Sequence, residues 1–408
     1  MDVARAVEPE LAPGFPPVTI LEGPRTCGKT FVARKLVAQG AWERYENLAD
    51  PVTLDLAKHD IVGWLSSLPH TTIIDEAQLI DQLPLQVKRL VDEASSQRRF
   101  LLTGSARIGR TGLGGTDPLT GRTRRWTLSP LTLAELDGRA ADMATLVERL
   151  FSGDVLDARA EQSFDVVDRL NRGGFPLISL TPHALKTIDQ WVRDTVVGLL
   201  TDAVLPDDRF DAGLALRVLD GCLRDPAGIL NVTSLGQRLA INPRTIDRYL
   251  DVLERRFLLH FLPNLATNPT RQTRARSKIH SIDTAFAAES LRRSDSMALA
   301  SPSVVGDLFE SYVVNQIVPC LQFSGFPVHA YYWREAKSDR EVDLVIADTE
   351  NRRVGIEVKS STQIALSDAR NLHALDQSMG LTMAYVVYPG SKTVRLTDRC
   401  WALPVTAL

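Results

Sequence analysis

A loop near the N-terminus has the composition of a phosphate-binding site. Its residues fit the pattern G-x-x-x-x-G-K-[ST] and are Gly23, Pro24, Arg25, Thr26, Cys27, Gly28, Lys29 and Thr30. In such a loop the backbone N–H groups point at phosphate oxygens, and the helix that follows presents its positive end to the same anion. Lys29 would reach the β- and γ-phosphates, and Thr30 would place its hydroxyl on Mg²⁺. The sequence therefore predicts that the chain binds ATP and Mg²⁺.

Two consecutive carboxylates, Asp75 and Glu76, follow an apolar run that contains Ile73 and Ile74. In P-loop enzymes an acidic residue at this place holds the magnesium ion, and a neighbouring residue orients the attacking water. The pair alone is also consistent with a helix cap after a strand, but the upstream loop favours the catalytic interpretation. Because Glu76 can activate water, Lys29, Asp75 and Glu76 together predict an ATPase rather than a small-molecule kinase.

A hydroxyl-bearing residue, Ser105, closes the next apolar run and is predicted to touch the γ-phosphate or the water. A simple strand-ending turn is equally consistent with Ser105. The charge of the transition state usually needs a further cation, often an arginine from a neighbouring subunit. The arginines that follow Ser105 are Arg107, Arg110, Arg122, Arg124 and Arg125. Arg122, which follows Gly121, is the preferred candidate, solvated surface charge is the alternative, and the group predicts a homo-oligomer.

A second group of charged residues lies near the C-terminus. Asp343 and Glu357 fall in two predicted strands that suit a hairpin, and alternation places Glu357 and Lys359 on one face. Two carboxylates that share Mg²⁺, with a lysine to orient water, suit phosphodiester hydrolysis, and Glu310 is a further candidate ligand. This matches the PD-(D/E)xK pattern of restriction-endonuclease-like nucleases. A salt-bridged remnant of an inactive nuclease core is the alternative.

The middle of the chain contains a candidate DNA-binding segment. Helical patterns at 232–239 and 246–255, joined through Asn242 and Pro243, resemble a winged helix–turn–helix, whose second helix can enter the major groove. A net charge of −3 excludes DNA binding through bulk charge, so binding needs a local basic patch. The candidate DNA contacts are Arg244, Arg248, Arg271, Arg274, Arg276 and Lys278. A packing element without nucleic-acid contact is the alternative.

The elements that position these residues alternate between strands and helices in the first part of the chain. Apolar runs at 17–23, 52–56, 70–78 and 98–106 predict strands of a parallel sheet with helices on its faces. The predicted fold class is α/β. The sequence predicts an AAA-type P-loop core at 1–130, a helical lid with a winged helix–turn–helix at 131–286, and a restriction-endonuclease-like α/β domain at 287–408, with a linker near 287–303.

Taken in order, these motifs resemble a large prokaryotic family of predicted ATPases. Its members join an AAA-type P-loop domain to a C-terminal domain of unknown function with a restriction-endonuclease-like core. The matching segments are GPRTCGKT, IIDEAQ, LLTGSA, LSPLTLAEL (128–136), GGFP (173–176), GDLFE, YYWR, EVDLVI and IEVKSS. The loop departs from the family pattern at Thr26 and Cys27, where glycine or serine is commoner at one position. The resemblance implies ATP hydrolysis and leaves the purpose open.

Composition limits the cellular setting. The four cysteines lie far apart without metal-ligand spacing, which predicts reduced thiols. The sequence has no apolar run of membrane-spanning length and its start is not a secretory signal, so we expect a cytoplasmic protein without membrane contact.

Two classes of function remain. The first is an ATP-driven enzyme that binds or processes DNA, with a possible metal-dependent nuclease; the presence of Asp343, Glu357 and Lys359 favours it. The second is a nucleotide-dependent regulatory switch, toxin–antitoxin-like or signalling, with an inactive nuclease-like binding domain.

Overall fold

The computed structural model describes residues 2–93, 97–105, 108, 117–154, 164–201, 210–265, 276–335 and 338–408. The chain divides into two compact units. The first comprises residues 2–130 with 255–257, and the second comprises 131–254 and 258–408. The further division of the second unit at residue 286 stays a prediction.

The first unit is built on a parallel sheet, as the sequence predicts. Its strands are β1 (Val18–Glu22), β2 (Arg44–Asn47), β3 (Thr71–Asp75), β4 (Arg99–Gly104) and β5 (Thr123–Thr127). Its helices are α1 (Lys29–Ala38), α2 (Pro51–His59), α3 (Ile61–Ser67) and α4 (Leu83–Asp92). The strand order is β2-β3-β4-β1-β5, and all pairs are parallel. Because parallel strands all end at one edge, the carboxyl ends of β1, β3 and β4 place their following residues together.

The predicted strand at 52–56 is wrong, because these residues lie in helix α2. The side chain of Asp50 caps this helix by accepting a hydrogen bond from the Thr53 amide, and Pro51 opens its first turn. The strand that pairs with β3 is instead β2, whose sequence RYEN carries little apolar signal. Strand β2 was therefore not predicted because its residues are polar. The apolar residues Val52 and Leu56 suggested a strand, although they are exposed on a helix.

The second unit begins with helices and ends with a mixed sheet. The helices before the sheet are α5 (Leu133–Leu136), α6 (Leu146–Ser152), α7 (Val166–Arg172), α8 (Pro176–Ser179), α9 (Leu185–Thr201), α10 (Ala212–Leu223), α11 (Val232–Leu239), α12 (Pro243–Arg255), α13 (Thr284–Ser294) and α14 (Pro302–Ile317). An antiparallel hairpin of β6 (Leu259–Leu262) and β7 (Lys278–Ser281) lies between α12 and α13.

The sheet of the second unit has six strands. They are β8 (Val328–Arg334), β9 (Glu341–Asp348), β10 (Arg353–Val358), β11 (Met383–Tyr388), β12 (Val394–Arg395) and β13 (Cys400–Pro404), with α15 (Arg370–Met379) between β10 and β11. The order is β12-β13-β11-β10-β9-β8. β8, β9 and β10 form an antiparallel meander, and β10, β11 and β13 are parallel. Helices α14 and α15 both pack against β10, an inner strand of this sheet.

The linker that composition predicts at 287–303 includes the greater part of a buried helix. In α13 the side chains of Ala287, Ala288 and Glu289 are buried, and Asp283 caps the helix. The arginines that suggested an exposed linker are paired: Arg292 with Asp189, and Arg293 with Asp220. The small apolar residues of this segment are therefore packed within a helix and do not form an exposed linker. Across the described ranges, no helix is long and apolar enough to cross a membrane.

Candidate active site

The loop between β1 and α1 is shaped by its two glycines. Gly23 has φ of +157°, and a Cβ atom there would lie 2.2 Å from the Leu128 carbonyl oxygen. Gly28 has φ of +106° and is the residue before the first turn of α1. The first turn of a helix leaves N–H groups without intrahelical partners, and these N–H groups can bind an anion. The loop therefore presents amides and a helix N-terminus at the carboxyl end of β1.

Lys29 is folded into this loop. Its side chain is buried, and Nζ donates to the carbonyl oxygens of Gly23 at 2.9 Å and Pro24 at 2.7 Å. The loop thus encloses its own ammonium group. To contact a phosphate, Lys29 has to exchange these two carbonyl acceptors for phosphate oxygens.

The structure brings Thr30 and Asp75 into direct contact. The Thr30 hydroxyl donates to Asp75 Oδ2 at 2.7 Å, although the two residues are 45 positions apart in sequence. Tyr45 donates to the same oxygen at 2.8 Å, and the Thr103 hydroxyl donates to Oδ1. Asp75 is buried, and its partners come from α1, β2 and β4 on either side of β3. The hydroxyl and carboxylate oxygens here are the hard ligands that suit Mg²⁺.

Glu76 and Ser105 also meet at this edge of the sheet. Glu76 adopts a left-handed backbone conformation with φ of 56° directly after β3. Ser105 Oγ donates to Glu76 Oε2 at 3.4 Å, and the Gln78 side-chain amide donates to the same oxygen. The glutamate side chain is therefore held beside the end of β4, next to the residue predicted to sense phosphate.

Two residues in this region were not found from the sequence. Tyr45 lies on the polar strand β2; burial and then its bond to Asp75 raise the pKa of Tyr45 to about 12. Arg5 precedes β1 and is 5% exposed. Its guanidinium donates to the Cys27 carbonyl at 2.8 Å and to the Ser129 carbonyl at 2.6 Å. Neither residue belongs to a motif, so no sequence signal marked either one.

The described arginines after β4 are paired within the chain. Arg122 contacts Asp92 and is partly exposed. Arg124 contacts Glu10 at 3.2 Å, and Arg125 contacts Glu22 at 2.7 Å. Arg107 and Arg110 lie outside the described residues. The structure of the single chain therefore does not direct Arg122 to the phosphate loop, and its role as a finger stays a prediction.

The C-terminal cluster is assembled by the β9–β10 hairpin. Ile356 pairs with Leu344, so Glu357 falls beside Asp343 on the neighbouring strand. The Val358 amide donates to Asp343 Oδ2 at 2.8 Å, and Lys359 Nζ donates to Glu357 Oε1 at 2.7 Å. Burial and then the charge of Asp343 raise the pKa of Glu357 to about 8. The structure thus brings together Asp343, Glu357 and Lys359.

Lys278 lies inside this cluster, where the sequence predicts a DNA contact. Its Nζ lies 2.7 Å from Glu310, 2.6 Å from Glu341 and 3.3 Å from Asp343, and the side chain is 2% exposed. The prediction that Lys278 contacts DNA is therefore wrong. Burial alone would lower the pKa of Lys278, but the surrounding carboxylates raise it well above its usual value.

The same contacts concern the metal site predicted at Asp343, Glu357 and Glu310, which stays a prediction. A lysine ammonium lies between Glu310 and Asp343, so these residues do not fit a metal ion as arranged. Among the described residues, no group of three or more His, Cys, Asp or Glu side chains is placed to hold one. Glu341, which sequence reasoning did not include, is two positions from Asp343 on β9; strand alternation could have identified it.

The structure describes three of the five other candidate DNA contacts, and all three are exposed. Arg244 and Arg248 are exposed on α12, and Arg276 is exposed just before β7. The Arg248 guanidinium lies 5.1 Å from the centre of the Tyr249 ring. Arg271 and Arg274 lie outside the described residues. Arg244 and Arg248 therefore lie at the surface of α12, which also carries the acidic residues Asp247, Asp251 and Glu254.

Comparison with known families agrees with the geometry of the first site. Residues 16–137 match the AAA domain family. These residues form an AAA-type P-loop domain. Residues 163–296 match Domain of unknown function (DUF8612), and residues 305–408 match Domain of unknown function (DUF4143). The AAA-type part of the sequence prediction is confirmed, and it carries the phosphate loop, Asp75 and Glu76.

Beyond the AAA-type domain, the chain is similar to whole proteins. Uncharacterized proteins of Mycobacterium bovis and Mycobacterium tuberculosis are 28% identical over 95% of this chain and 80% of theirs. Among solved structures, a Walker-type ATPase of Pyrococcus abyssi covers 70% of this chain and 94% of its own, at 14% identity and a TM-score of 0.41. The ORC1 protein of Aeropyrum pernix, solved in complex with DNA, covers 74% and 95%, at 15% identity and a TM-score of 0.28.

Proposed function

We propose that the AAA-type domain binds and hydrolyses ATP with Mg²⁺ at the carboxyl ends of β1, β3 and β4. The observation that carries this proposal is the 2.7 Å contact between the Thr30 hydroxyl and Asp75. In P-loop ATPases a threonine and an aspartate with these positions hold the magnesium ion that accompanies the nucleotide. Magnesium would neutralise the charge that develops on the phosphates.

The residues of the chain take separate roles in this proposal. The amides of the loop and the first turn of α1 bind phosphate oxygens, and Lys29 moves from the carbonyls of Gly23 and Pro24 to those oxygens. Glu76 accepts a proton from the attacking water. In the present arrangement Ser105 and Gln78 bind the Glu76 carboxylate, so this carboxylate has to exchange them for water before it acts.

Steady-state ATP hydrolysis and nucleotide binding test the assignment. Glu76→Gln keeps the shape of the side chain and removes its basicity, so it should retain ATP binding and lose turnover. Glu43→Gln is the matched control, because Glu43 binds Thr71 at the opposite edge of the sheet. Turnover by Glu76→Gln at the wild-type rate would remove Glu76 from the mechanism. Thr30→Ala should weaken nucleotide binding only when Mg²⁺ is present.

We further propose that ATP turnover serves an action on DNA through the segment α11–α12 and β6–β7. Two helices joined by a short turn and followed by a hairpin support the winged helix–turn–helix interpretation. Arg244 and Arg248 are exposed on the second helix, which would enter the groove. Each phosphate contact adds to the salt dependence of binding.

Fluorescence anisotropy with single-stranded, duplex and branched DNA tests this part. Replacing Arg244 and Arg248 by Gln should weaken binding and reduce its salt dependence. A control with the same loss of charge replaces Arg44 and Arg395, whose side chains are 60% and 54% exposed on other elements. Equal weakening by both double variants would show that only net charge matters, and would contradict a contact surface on α12.

A regulatory switch is the second candidate function, and the position of Lys278 favours it. With a lysine among the carboxylates of Glu310, Glu341 and Asp343, the C-terminal sheet is suited to binding rather than cleavage. A nicking assay in Mg²⁺ and in Mn²⁺ on wild type and Asp343→Ala separates the two. Cleavage that Asp343→Ala abolishes would support a nuclease. Absence of cleavage in both proteins, with ATPase activity intact, supports the switch.

Self-association is part of the proposal for either function. Arg122 is bound to Asp92 in the single chain and would have to leave this partner to act at a neighbouring ATP site. Light scattering with and without ATP tests the assembly. A monomer with full ATPase activity at all concentrations would contradict it.

A further inference from the structure

A buried lysine holds together three carboxylates from two other elements. Lys278 lies on β7, Glu310 on α14, and Glu341 and Asp343 on β9. The ammonium nitrogen is 2.7, 2.6 and 3.3 Å from the oxygens of Glu310, Glu341 and Asp343, respectively. The centre of the Tyr332 ring lies 5.8 Å from the same nitrogen. The nitrogen therefore lies at the point where these carboxylates converge.

Such a convergence needs a cation. Carboxylates that share a buried site repel one another, and ionised groups removed from water need compensating charge. Oxygen ligands at one point would otherwise attract a divalent metal ion. A lysine ammonium supplies part of that charge and donates hydrogen bonds in three directions.

A fourth carboxylate adjoins this group. Glu357 is 3% exposed, and within the described chain its Oε2 atom has no hydrogen-bond partner. Its other oxygen accepts from Lys359 and Asn371. Since Glu357 falls beside Asp343 in the hairpin register, this oxygen would be a ready additional ligand if the ammonium were removed.

We propose that Lys278 is the resident cation of this cluster: its ammonium group takes the position of a divalent ion and keeps such ions out of the C-terminal sheet. The inference is independent of ATP hydrolysis, because it concerns residues of the second unit alone. It makes the carboxylates structural anchors for β7, and it predicts that a single substitution creates a metal site.

Mn²⁺ binding to the full-length, nucleotide-free protein tests the proposal by calorimetry and electron paramagnetic resonance. Lys278→Met keeps the length of the side chain and removes its charge. This variant should bind a Mn²⁺ ion that the wild type does not bind. Its Tm should fall below that of the wild type in EDTA and rise by several degrees with Mn²⁺, whereas the wild-type Tm should not change. Adding Asp343→Asn should abolish the new binding.

The wild-type measurement keeps the proposal open to refutation even if Lys278→Met does not fold. Mn²⁺ binding by the wild type that Asp343→Asn removes would show that the cluster is a metal site despite Lys278, and would overturn the inference. A folded Lys278→Met with no additional Mn²⁺ binding would also overturn it. If that variant does not fold, Lys278→Met with Glu310→Gln has one carboxylate fewer to neutralise, and it should still bind Mn²⁺ more tightly than the wild type.

Discussion

Arg5 is predicted to hold the phosphate loop in its binding conformation. Its guanidinium donates to the Cys27 carbonyl at 2.8 Å from a position that is almost fully buried. In a trans peptide the C=O and the following N–H point in opposite directions. By fixing the Cys27 carbonyl, Arg5 therefore directs the Gly28 N–H to the other side of the loop. The second donor, to Ser129, ties the loop to the segment that crowds Gly23.

The magnitude follows from the hydrogen bonds that Arg5→Ala removes. A hydrogen bond to a charged group contributes about 1.5–3 kcal/mol. If the bond to Cys27 contributes to the shape that ATP needs, its loss should weaken ATP binding roughly tenfold or more. Loss of both bonds should lower the free energy of unfolding of the first unit by about 2–4 kcal/mol. Hydrogen bonds from water to the freed carbonyls recover only part of the lost free energy.

Titration with a fluorescent ATP analogue and thermal unfolding are the assays for Arg5. Arg5→Lys keeps a charged donor but has lost the forked geometry, so it should recover part of the binding. Arg44→Ala is the control, since its side chain is 60% exposed and its surface ion pair should contribute little. Arg5→Ala with wild-type ATP affinity and a lowered Tm would show that the residue supports the fold only, and the reasoning about the loop would be refuted.

Two further predictions concern the second unit. Gly173→Ala should destabilise the protein by more than about 2 kcal/mol, because a Cβ atom there lies 1.7 Å from Asp283 Oδ1; Gly138→Ala, also at positive φ but with open space around it, should cost only about 1 kcal/mol in chemical unfolding. Asp283 is buried, and burial raises the pKa of its carboxyl to about 6. The folded state therefore binds the proton more tightly than the unfolded state, and stability relative to Asp283→Asn should fall by about 2 kcal/mol as pH rises from 4 to 6. A stability difference between wild type and Asp283→Asn that stays constant from about pH 4 to pH 6 would contradict the effect of burial on Asp283.

The sequence predicts where the candidate phosphate site lies because the determinants of that site are local. A glycine loop followed by lysine and threonine folds in one way between a strand and a helix, and the carboxylates of Asp75 and Glu76 are recognisable from the strand before them. The role of Lys278 could not be read in this way. Its partners Glu310 and Asp343 lie 32 and 65 positions away, and only the folded sheet shows that they converge on it.

Predictions from local sequence were also wrong for polar residues that lie on strands. Strand β2 is polar because it lies at the edge of its sheet, so its sequence lacks an apolar run and Tyr45 was not found. In the same way, Lys278 of β7 follows several arginines in the sequence, and together they have the composition of a basic DNA-binding patch. In both cases the sequence shows the charge or polarity of the residue, but only the structure shows which residues it contacts.

The two carboxylate sites differ in what compensates their charge. The described partners of Asp75 are the hydroxyls of Thr30, Tyr45 and Thr103 and a backbone amide. These neutral donors fix a carboxylate without cancelling its charge, so a divalent ion with its nucleotide is still attracted. Asp343 accepts from the Val358 amide, and the Lys278 ammonium lies 3.3 Å away, so a cation already lies beside this carboxylate. We therefore expect the neutral donors at Asp75 to favour ATP-linked magnesium and the cationic donor at Asp343 to oppose metal binding.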